Sequence, residues 1–179
     1  MHSAIEELAR VMPPPSGGGD PVDWSEVQQS SGIRLPEDYR DFVSLYGGGV
    51  LNLAVYLETP PVAGSPSGHL LDSRPGPLPE REVERHPFLQ GLDVFPFAKS
   101  AHGDAVSWIC NIENPNEWEI LVFTRQPSGG QRQWTRFACG WGEFLVRLIR
   151  YEISSPFSQS EFPGSRPEFV SWKDDRYWE

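Results

Sequence analysis

Apolar residues recur at helical spacing in several parts of the chain and predict its helices. The clearest pattern follows Pro36 and repeats at positions i, i+3, i+4 and i+7. Its members are Tyr39, Phe42, Val43 and Tyr46. Residues at this spacing share one helix face, so we expect that face to be buried. Gly47 can adopt a positive φ and is predicted to end the helix. Similar reasoning predicts further helices near residues 5–12, 23–31, 80–86 and 142–153.

Segments rich in β-branched and aromatic residues predict the strands. They lie at residues 50–57, 105–110, 118–124 and 133–138. Turn residues separate the last three segments, so these strands are expected to form an antiparallel meander. Helices come first, then the meander, then a closing helix. This order predicts a single α+β domain, in which an antiparallel-dominated sheet packs against N-terminal helices and a C-terminal helix.

Proline and glycine divide the chain into three parts. Residues 1–21 are predicted to form an N-terminal helix and a Pro/Gly-rich tether, because the segment PPPSGGGD has the composition of a flexible linker. Residues 22–153 form the expected domain, which a Pro-rich surface loop interrupts at residues 58–79. Residues 154–179 form an aromatic tail that we expect to pack on the domain. The alternative is that the tail aromatics anchor a partner protein.

The charge balance limits the classes of partner. The chain of 179 residues carries 25 Asp and Glu against 15 Lys and Arg, a formal net charge of −10. Such a protein repels a phosphate backbone, so direct nucleic-acid binding is not expected, whereas a basic protein partner is compatible. The chain has no apolar run of about eighteen residues, and its first residues lack a secretory pattern. We therefore expect a cytoplasmic protein without membrane contact.

Catalytic, cofactor and metal sites are not predicted. His102 and Asp104 flank a glycine in a turn, and spacing places no nucleophile beside His102. Cys110 and Cys139 lack the spacing of zinc ligands, so two reduced structural thiols are expected. The glycine run after Tyr46 follows a helix, which favours a helix stop over a phosphate loop. One metal alternative stays open, a cluster of His2, His69 and His86 with Asp72 or Glu84.

Several motifs, in their order along the chain, resemble the SUKH superfamily. The segment from Leu35 to Gly49, LPEDYRDFVSLYGGG, carries the main likeness. The supporting residues are Trp24, Phe97-Ala98, Gly103-Asp104, Trp108 and Phe144-Leu145. The likeness covers about residues 22–153. The long Pro-rich loop and the aromatic tail depart from a compact member of the superfamily.

The resemblance implies a binding role. Members of this superfamily are known as fungal regulators of cell-wall synthesis and as bacterial immunity proteins that neutralise polymorphic toxins, frequently nucleases. The resemblance thus implies a non-enzymatic module, and our leading hypothesis is an immunity protein that binds a cognate toxin. A regulatory scaffold that holds several partners weakly through Pro-rich segments is the alternative. A hydrolase whose His and acidic residues converge only in the fold is a second alternative.

The candidate partner-binding residues are acids and tail aromatics. Three acids at the start of the third helix are candidates for an acidic recognition rim, although acids in a first helical turn also interact favourably with the helix dipole. One turn acid and two tail aromatics complete the set. The candidates are Glu37, Asp38, Asp41, Asp104, Trp172 and Trp178. No cofactor is expected.

Overall fold

The structure, a computed structural model, describes residues 1–158 and 162–177. Its α-helices in this part of the chain are α1 (Ser3–Val11), α2 (Trp24–Ser31), α3 (Glu37–Tyr46), α4 (Glu80–Arg85) and α5 (Trp141–Ile149). Its strands are β1 (Gly49–Leu51), β2 (Val55–Leu57), β3 (Gly76–Pro77), β4 (Asp93–Ser100), β5 (Ala105–Ile109), β6 (Glu119–Phe123), β7 (Trp134–Phe137) and β8 (Phe169–Ser171).

The described strands form one antiparallel sheet of eight strands. Its order is β7-β6-β5-β4-β2-β1-β8, and the short β3 pairs with β4 off this path. The predicted meander is confirmed, because β5, β6 and β7 are neighbours in chain order. Helices α1 and α3 pack with α5 over one face of the sheet. The expected single α+β domain is therefore confirmed.

The main core lies between the sheet and helix α3. The four aromatic and aliphatic residues of the predicted α3 stripe are all buried, as expected: Tyr39, Phe42, Val43 and Tyr46. Trp108 of β5 stacks on Phe97 of β4 with ring centroids 3.9 Å apart, and both side chains are fully buried. Gly47 ends α3 with φ of 76°, a positive value that glycine adopts without strain.

The opposite face of the sheet is covered in part by α4 and the residues that follow it. Side chains alternate along a strand, so Trp108 points into the main core while Ser107 and Ile109 face the other side. A second, smaller apolar cluster forms there from Leu89, Val94, Ile109, Leu121 and Trp134. The sheet thus has an inner face under α3 and α5 and an outer face under α4.

Two predicted elements have different bounds in the structure. The single strand expected at residues 50–57 is wrong, because the chain turns at Asn52 and Leu53 and makes a hairpin of β1 and β2. Both turn residues have positive φ, and Leu53 points its side chain into solvent with 66% of its surface exposed. Helix α5 ends at Ile149, four residues earlier than expected, and Tyr151 then takes a φ of 58°.

The tether after α1 is docked on the domain, which corrects the expectation of a flexible linker. The Asp20 backbone N–H donates to the Val43 carbonyl at the end of α3, 2.9 Å away, and Asp20 itself is buried. Gly19 lies so close to Ser44 that a Cβ would come within 2.3 Å of the Ser44 backbone. Only glycine fits this approach. The tether therefore has a fixed path over α3.

The Pro-rich loop and the tail also contact the core. Leu70 is buried within the loop, and the Thr59 backbone N–H donates to the Ser67 carbonyl at 2.7 Å. In the tail, β8 pairs with β1, and three phenylalanines are buried, namely Phe157, Phe162 and Phe169. Among the described residues, no helix combines the length and apolar character needed to cross a bilayer.

Candidate partner-binding surface

Glu37 and Asp41 stand one helical turn apart on the solvent side of α3, with Arg40 between them in sequence. Glu37 is exposed, and its carboxylate lies 3.6 Å from the Arg40 guanidinium. The Asp41 carboxylate accepts a hydrogen bond from the backbone N–H of His2. Asn116 accepts a hydrogen bond from the Glu37 backbone N–H at 2.8 Å and so fixes the start of the helix.

These residues border a shallow depression of about 420 Å³. It is lined by Met1, His2, Trp24, Glu37, Arg40, Asp41 and Ser44. The depression combines two carboxylates, one guanidinium and the half-buried ring of Trp24, whose edge packs on Tyr39 at 6.2 Å between centroids. Carboxylates beside an aromatic surface suit a cationic side chain, because the alkyl stem packs on the ring while the charge is paired. We call Glu37 and Asp41 the α3 rim.

Asp38 does not belong to the exposed rim, which corrects its predicted placement. Its residue surface is only 6% exposed, and one carboxylate oxygen accepts a hydrogen bond from the Gly142 backbone N–H at 3.0 Å. Gly142 lies in the first turn of α5, where backbone N–H groups lack helical partners. The Asp38 side chain thus serves the fold by capping a second helix.

Asp104 is likewise inside the protein, with 1% of its surface exposed. One carboxylate oxygen accepts from the Arg125 backbone N–H at 2.9 Å and from the Ser158 hydroxyl. The other accepts from the Ser100 hydroxyl and the Ser158 backbone N–H, both at 2.9 Å. This carboxylate joins the β4–β5 turn, the end of β6 and the start of the tail. It is therefore not available to a partner.

Trp172 is half-buried and contacts the body of the domain. Its indole N–H donates to the Asp20 carboxylate, with distances of 3.0 and 3.2 Å to the two oxygens. The same carboxylate accepts from the Gly48 backbone N–H at 2.8 Å and lies 3.2 Å from the Lys173 ammonium. Asp20 thus ties the tether, the end of α3 and the tail together, a role that sequence spacing does not reveal. Trp178 lies outside the described residues.

His69 and His86 each have a side-chain partner. His69 lies 3.0 Å from Asp72, and His86 lies 3.0 Å from the amide oxygen of Gln133. Within residues 1–158 and 162–177, no three or more His, Cys, Asp or Glu side chains come together as metal ligands would. His102 is exposed in its turn, where its backbone N–H donates to the Ser100 hydroxyl at 3.1 Å.

The two thiols are protonated at neutral pH. Burial raises the pKa of the Cys110 thiol to about 12, and the nearby Asp93 carboxylate adds to the shift. Burial also raises the pKa of the Cys139 thiol to about 11. Both cysteines are free rather than disulfide-bonded. A thiol with such a pKa is a poor nucleophile, because the thiolate is the reactive form.

A comparison of the sequence with known protein families assigns the chain to a family. Residues 18–147 match the SMI1 / KNR4 family (SUKH-1). The chain belongs to this family. The predicted resemblance is thereby confirmed, and SUKH domains typically bind partner proteins. The family is generally non-catalytic and has immunity or regulatory roles. Neither a curated protein nor a solved structure matches the chain.

The SUKH match includes the α3 rim but not the two ends of the chain. It begins after α1 and ends within α5, so it leaves out β8 and the tail. Sequence reasoning found Glu37 and Asp41 from the pattern of α3, but it missed His2, Trp24 and Arg40 as their neighbours. His2 and Trp24 come from other elements, and only the i, i+3 spacing of Glu37 and Arg40 signals a contact.

Proposed function

We propose that this SUKH protein is an immunity protein that binds and neutralises a cognate toxin domain with a cationic active surface, such as that of a nuclease. The observation that carries the proposal is the α3 rim, in which the exposed Glu37 and the partly exposed Asp41 lie beside the ring of Trp24 in a family of binding domains. The net charge of −10 supports a basic partner. We further propose that the protein acts in the cytoplasm and without catalytic turnover.

Inhibition would follow from occlusion and charge complementarity. Opposite charges on the two proteins speed their diffusional encounter, whereas packed apolar and aromatic contacts slow dissociation. On this proposal, a basic side chain of the toxin enters the depression between Glu37 and Asp41. The toxin surface around that side chain is then covered and cannot reach its own substrate.

One tight complex is better supported than a scaffold with many weak contacts. The scaffold alternative needs mobile Pro-rich segments that several partners can engage. The loop at residues 58–79 instead has a buried Leu70 and hydrogen bonds from its own backbone. The tether is held by Asp20 in the same way. Both segments favour a preformed binding surface.

The test is co-expression with the toxin domain encoded beside this protein in its genome. We expect growth rescue and a complex of one protein to one toxin in size-exclusion chromatography. The double variant Glu37→Lys/Asp41→Lys should lower the association rate at low salt by about tenfold or more, because rim charges mainly steer encounter. The neutral pair Glu37→Gln/Asp41→Asn keeps hydrogen-bond acceptors and should have an intermediate rate.

The matched control reverses two exposed acids that border neither the α3 rim depression nor α4. Glu6→Lys/Glu152→Lys makes the same charge change on α1 and on the segment after α5. We expect it to leave most of the association rate intact. Equal loss in both double variants would show that only the net charge matters. Lack of both rescue and binding with the wild-type pair would reject the pairing.

A further inference from the structure

A second groove lies on the outer face of the sheet, away from the α3 rim. Its volume is about 300 Å³. Strands β4 to β7 form its floor, and the segment leading into α4 forms one wall. The residues that matter for its chemistry are Leu78, Arg81, Glu82, Val94, Phe123 and Trp134. Most of the lining is apolar or aromatic, and Glu82 brings a carboxylate into it.

The Glu82 carboxylate is nearly buried but has few partners. Its residue surface is 9% exposed, and one oxygen accepts a hydrogen bond from the Trp134 indole N–H at 3.2 Å. The other oxygen lies 3.5 Å from the Arg81 guanidinium, whose side chain is 78% exposed to solvent. A carboxylate can accept several hydrogen bonds. Glu82 therefore retains acceptor capacity towards the groove.

Two aromatic rings stand beside this carboxylate. Phe123 and Trp134 have centroids 4.9 Å apart and planes inclined at 53°. They come from neighbouring strands, where they are directly opposite each other. Small side chains, Ala105 and Ser107, keep the adjoining floor low. The groove thus offers an apolar slot with aromatic surface and a negative charge close together.

We propose that this groove binds an arginine side chain presented by an extended segment of a partner protein. The guanidinium is planar, stacks on aromatic rings and pairs with carboxylates through two N–H groups. Its alkyl stem packs on the apolar walls formed by Leu78 and Val94. The inference rests on the proposed function in taking the occupant to be a protein partner, and it gives that partner a second attachment point.

Arg81 acts as an internal competitor in this arrangement. Its exposed guanidinium already lies near Glu82, and an incoming arginine has to displace it or share the carboxylate. Removal of the Glu82 charge alone and removal of the Arg81 charge alone should therefore have opposite effects on the affinity for the incoming arginine. Loss of the Glu82 charge should weaken binding, whereas loss of the Arg81 charge should strengthen it. A purely structural role of Glu82 gives no such pair of effects.

The test uses nuclear magnetic resonance of the isotope-labelled full chain, titrated with a blocked Leu-Arg-Leu peptide. We expect shifts of the Phe123 and Trp134 signals. A blocked Leu-citrulline-Leu peptide, which has no charge, should bind about tenfold or more weakly. Glu82→Gln keeps an oxygen for the Trp134 N–H and should lose a similar factor while stability is unchanged. Arg81→Gln should gain affinity by about threefold.

Other results would overturn the inference. They are shifts confined to residues outside the groove, equal binding of the arginine and citrulline peptides, or weaker binding by Arg81→Gln. The outcome is separable from that of the proposed function, because the peptide titration needs no toxin. Groove binding with no toxin pairing would reject the proposed function alone. Toxin pairing that is lost in the α3 rim variant, without peptide binding, would reject the groove alone.

Discussion

The carboxylate of Asp38 on α3 accepts a hydrogen bond of 3.0 Å from the backbone N–H of Gly142 on α5. The residue at the N-cap of α5 is Gly140, which has no side chain to do this. A Cβ at Gly140 would come within 2.6 Å of the same carboxylate. The absent side chain at Gly140 thus makes room for the Asp38 carboxylate. The contact joins two helices that cover the inner face of the sheet.

Removal of this cap is expected to destabilise the protein. Asp38→Ala should lower the free energy of unfolding by about 1 to 2 kcal/mol, since a helix loses its N-cap acceptor and a buried N–H loses its partner. Asp38→Asn keeps an oxygen and should cost less. Urea denaturation measures both. Glu37→Ala, one residue earlier and exposed, is the control with little expected change; an equal loss there would contradict the capping role.

Loss of the Asp104 carboxylate, which accepts four hydrogen bonds, should destabilise the protein more than loss of the Asp38 carboxylate. Asp104→Ala leaves the Arg125 and Ser158 backbone N–H groups without their acceptor, so we expect a loss of about 3 kcal/mol in the free energy of unfolding. Thermal and urea denaturation measure it. Asp93→Ala removes an exposed carboxylate from the neighbouring strand and should change stability by less than about 0.5 kcal/mol. Similar losses of free energy of unfolding in the two variants would contradict the structural role of Asp104.

The tail strand should contribute to the core through Phe169. This ring is 4% exposed and meets Phe42 and Tyr46 edge-on, with centroids 5.4 and 5.6 Å away. Phe169→Ala should therefore cost about 3 to 5 kcal/mol of stability. The same substitution at Phe88, whose surface is 52% exposed, should cost much less. A small effect at Phe169 would mean that the tail is not part of the folded core.

Alkaline pH should weaken the fold through the two cysteines. Their pKa values in the folded protein are raised by burial, to about 12 for Cys110 and about 11 for Cys139, from an ordinary value of 9.0. Between about pH 9 and 12 the unfolded chain releases these protons first, so the free energy of unfolding falls as pH rises. Thiolate absorbance and urea denaturation at several pH values measure this effect.

A cysteine-free variant distinguishes the contribution of the thiols to the pH dependence of stability from that of other groups. Burial also raises the pKa of Tyr39 and Tyr46 above the ordinary value of 10.0, so by the same reasoning their deprotonation adds a fall in the free energy of unfolding that begins about one pH unit later, near pH 10. Cys110→Ser/Cys139→Ser should therefore flatten the pH dependence just above pH 9 and leave the later decline. Full thiolate absorbance from the native protein at pH 9.5 would contradict the raised pKa values.

Sequence patterns predicted the elements whose signals are local. The α3 stripe and the meander follow from spacings of three, four or two residues, which burial of one face enforces. The turn at Asn52 and Leu53 was missed because its second residue is a large apolar one, a rare choice for positive φ. Strand β8 was missed because three residues carry little pattern, and its partner β1 is far away in the chain.

The same distinction between local and distant contacts applies to the candidate binding residues. Glu37 and Asp41 were predicted from their place on α3, and the structure leaves Glu37 exposed and Asp41 partly exposed on one side of the helix. The partners of Asp38 and Asp104 are distant in sequence, so charge pattern alone could not show that these acids are buried. The burial of Glu82 could not be predicted for the same reason, because its hydrogen bond with Trp134 joins residues of α4 and β7 that are far apart in the sequence.

We expect the pairing of β8 with β1 also to protect the protein from aggregation. Without β8, the chain would present the unpaired backbone of β1 at the sheet edge, next to the apolar pocket left by Phe169. Such an edge is a template for strands from other molecules. We therefore expect proteolytic loss of the tail to convert a monodisperse preparation into aggregates, and light scattering after limited proteolysis would detect the change.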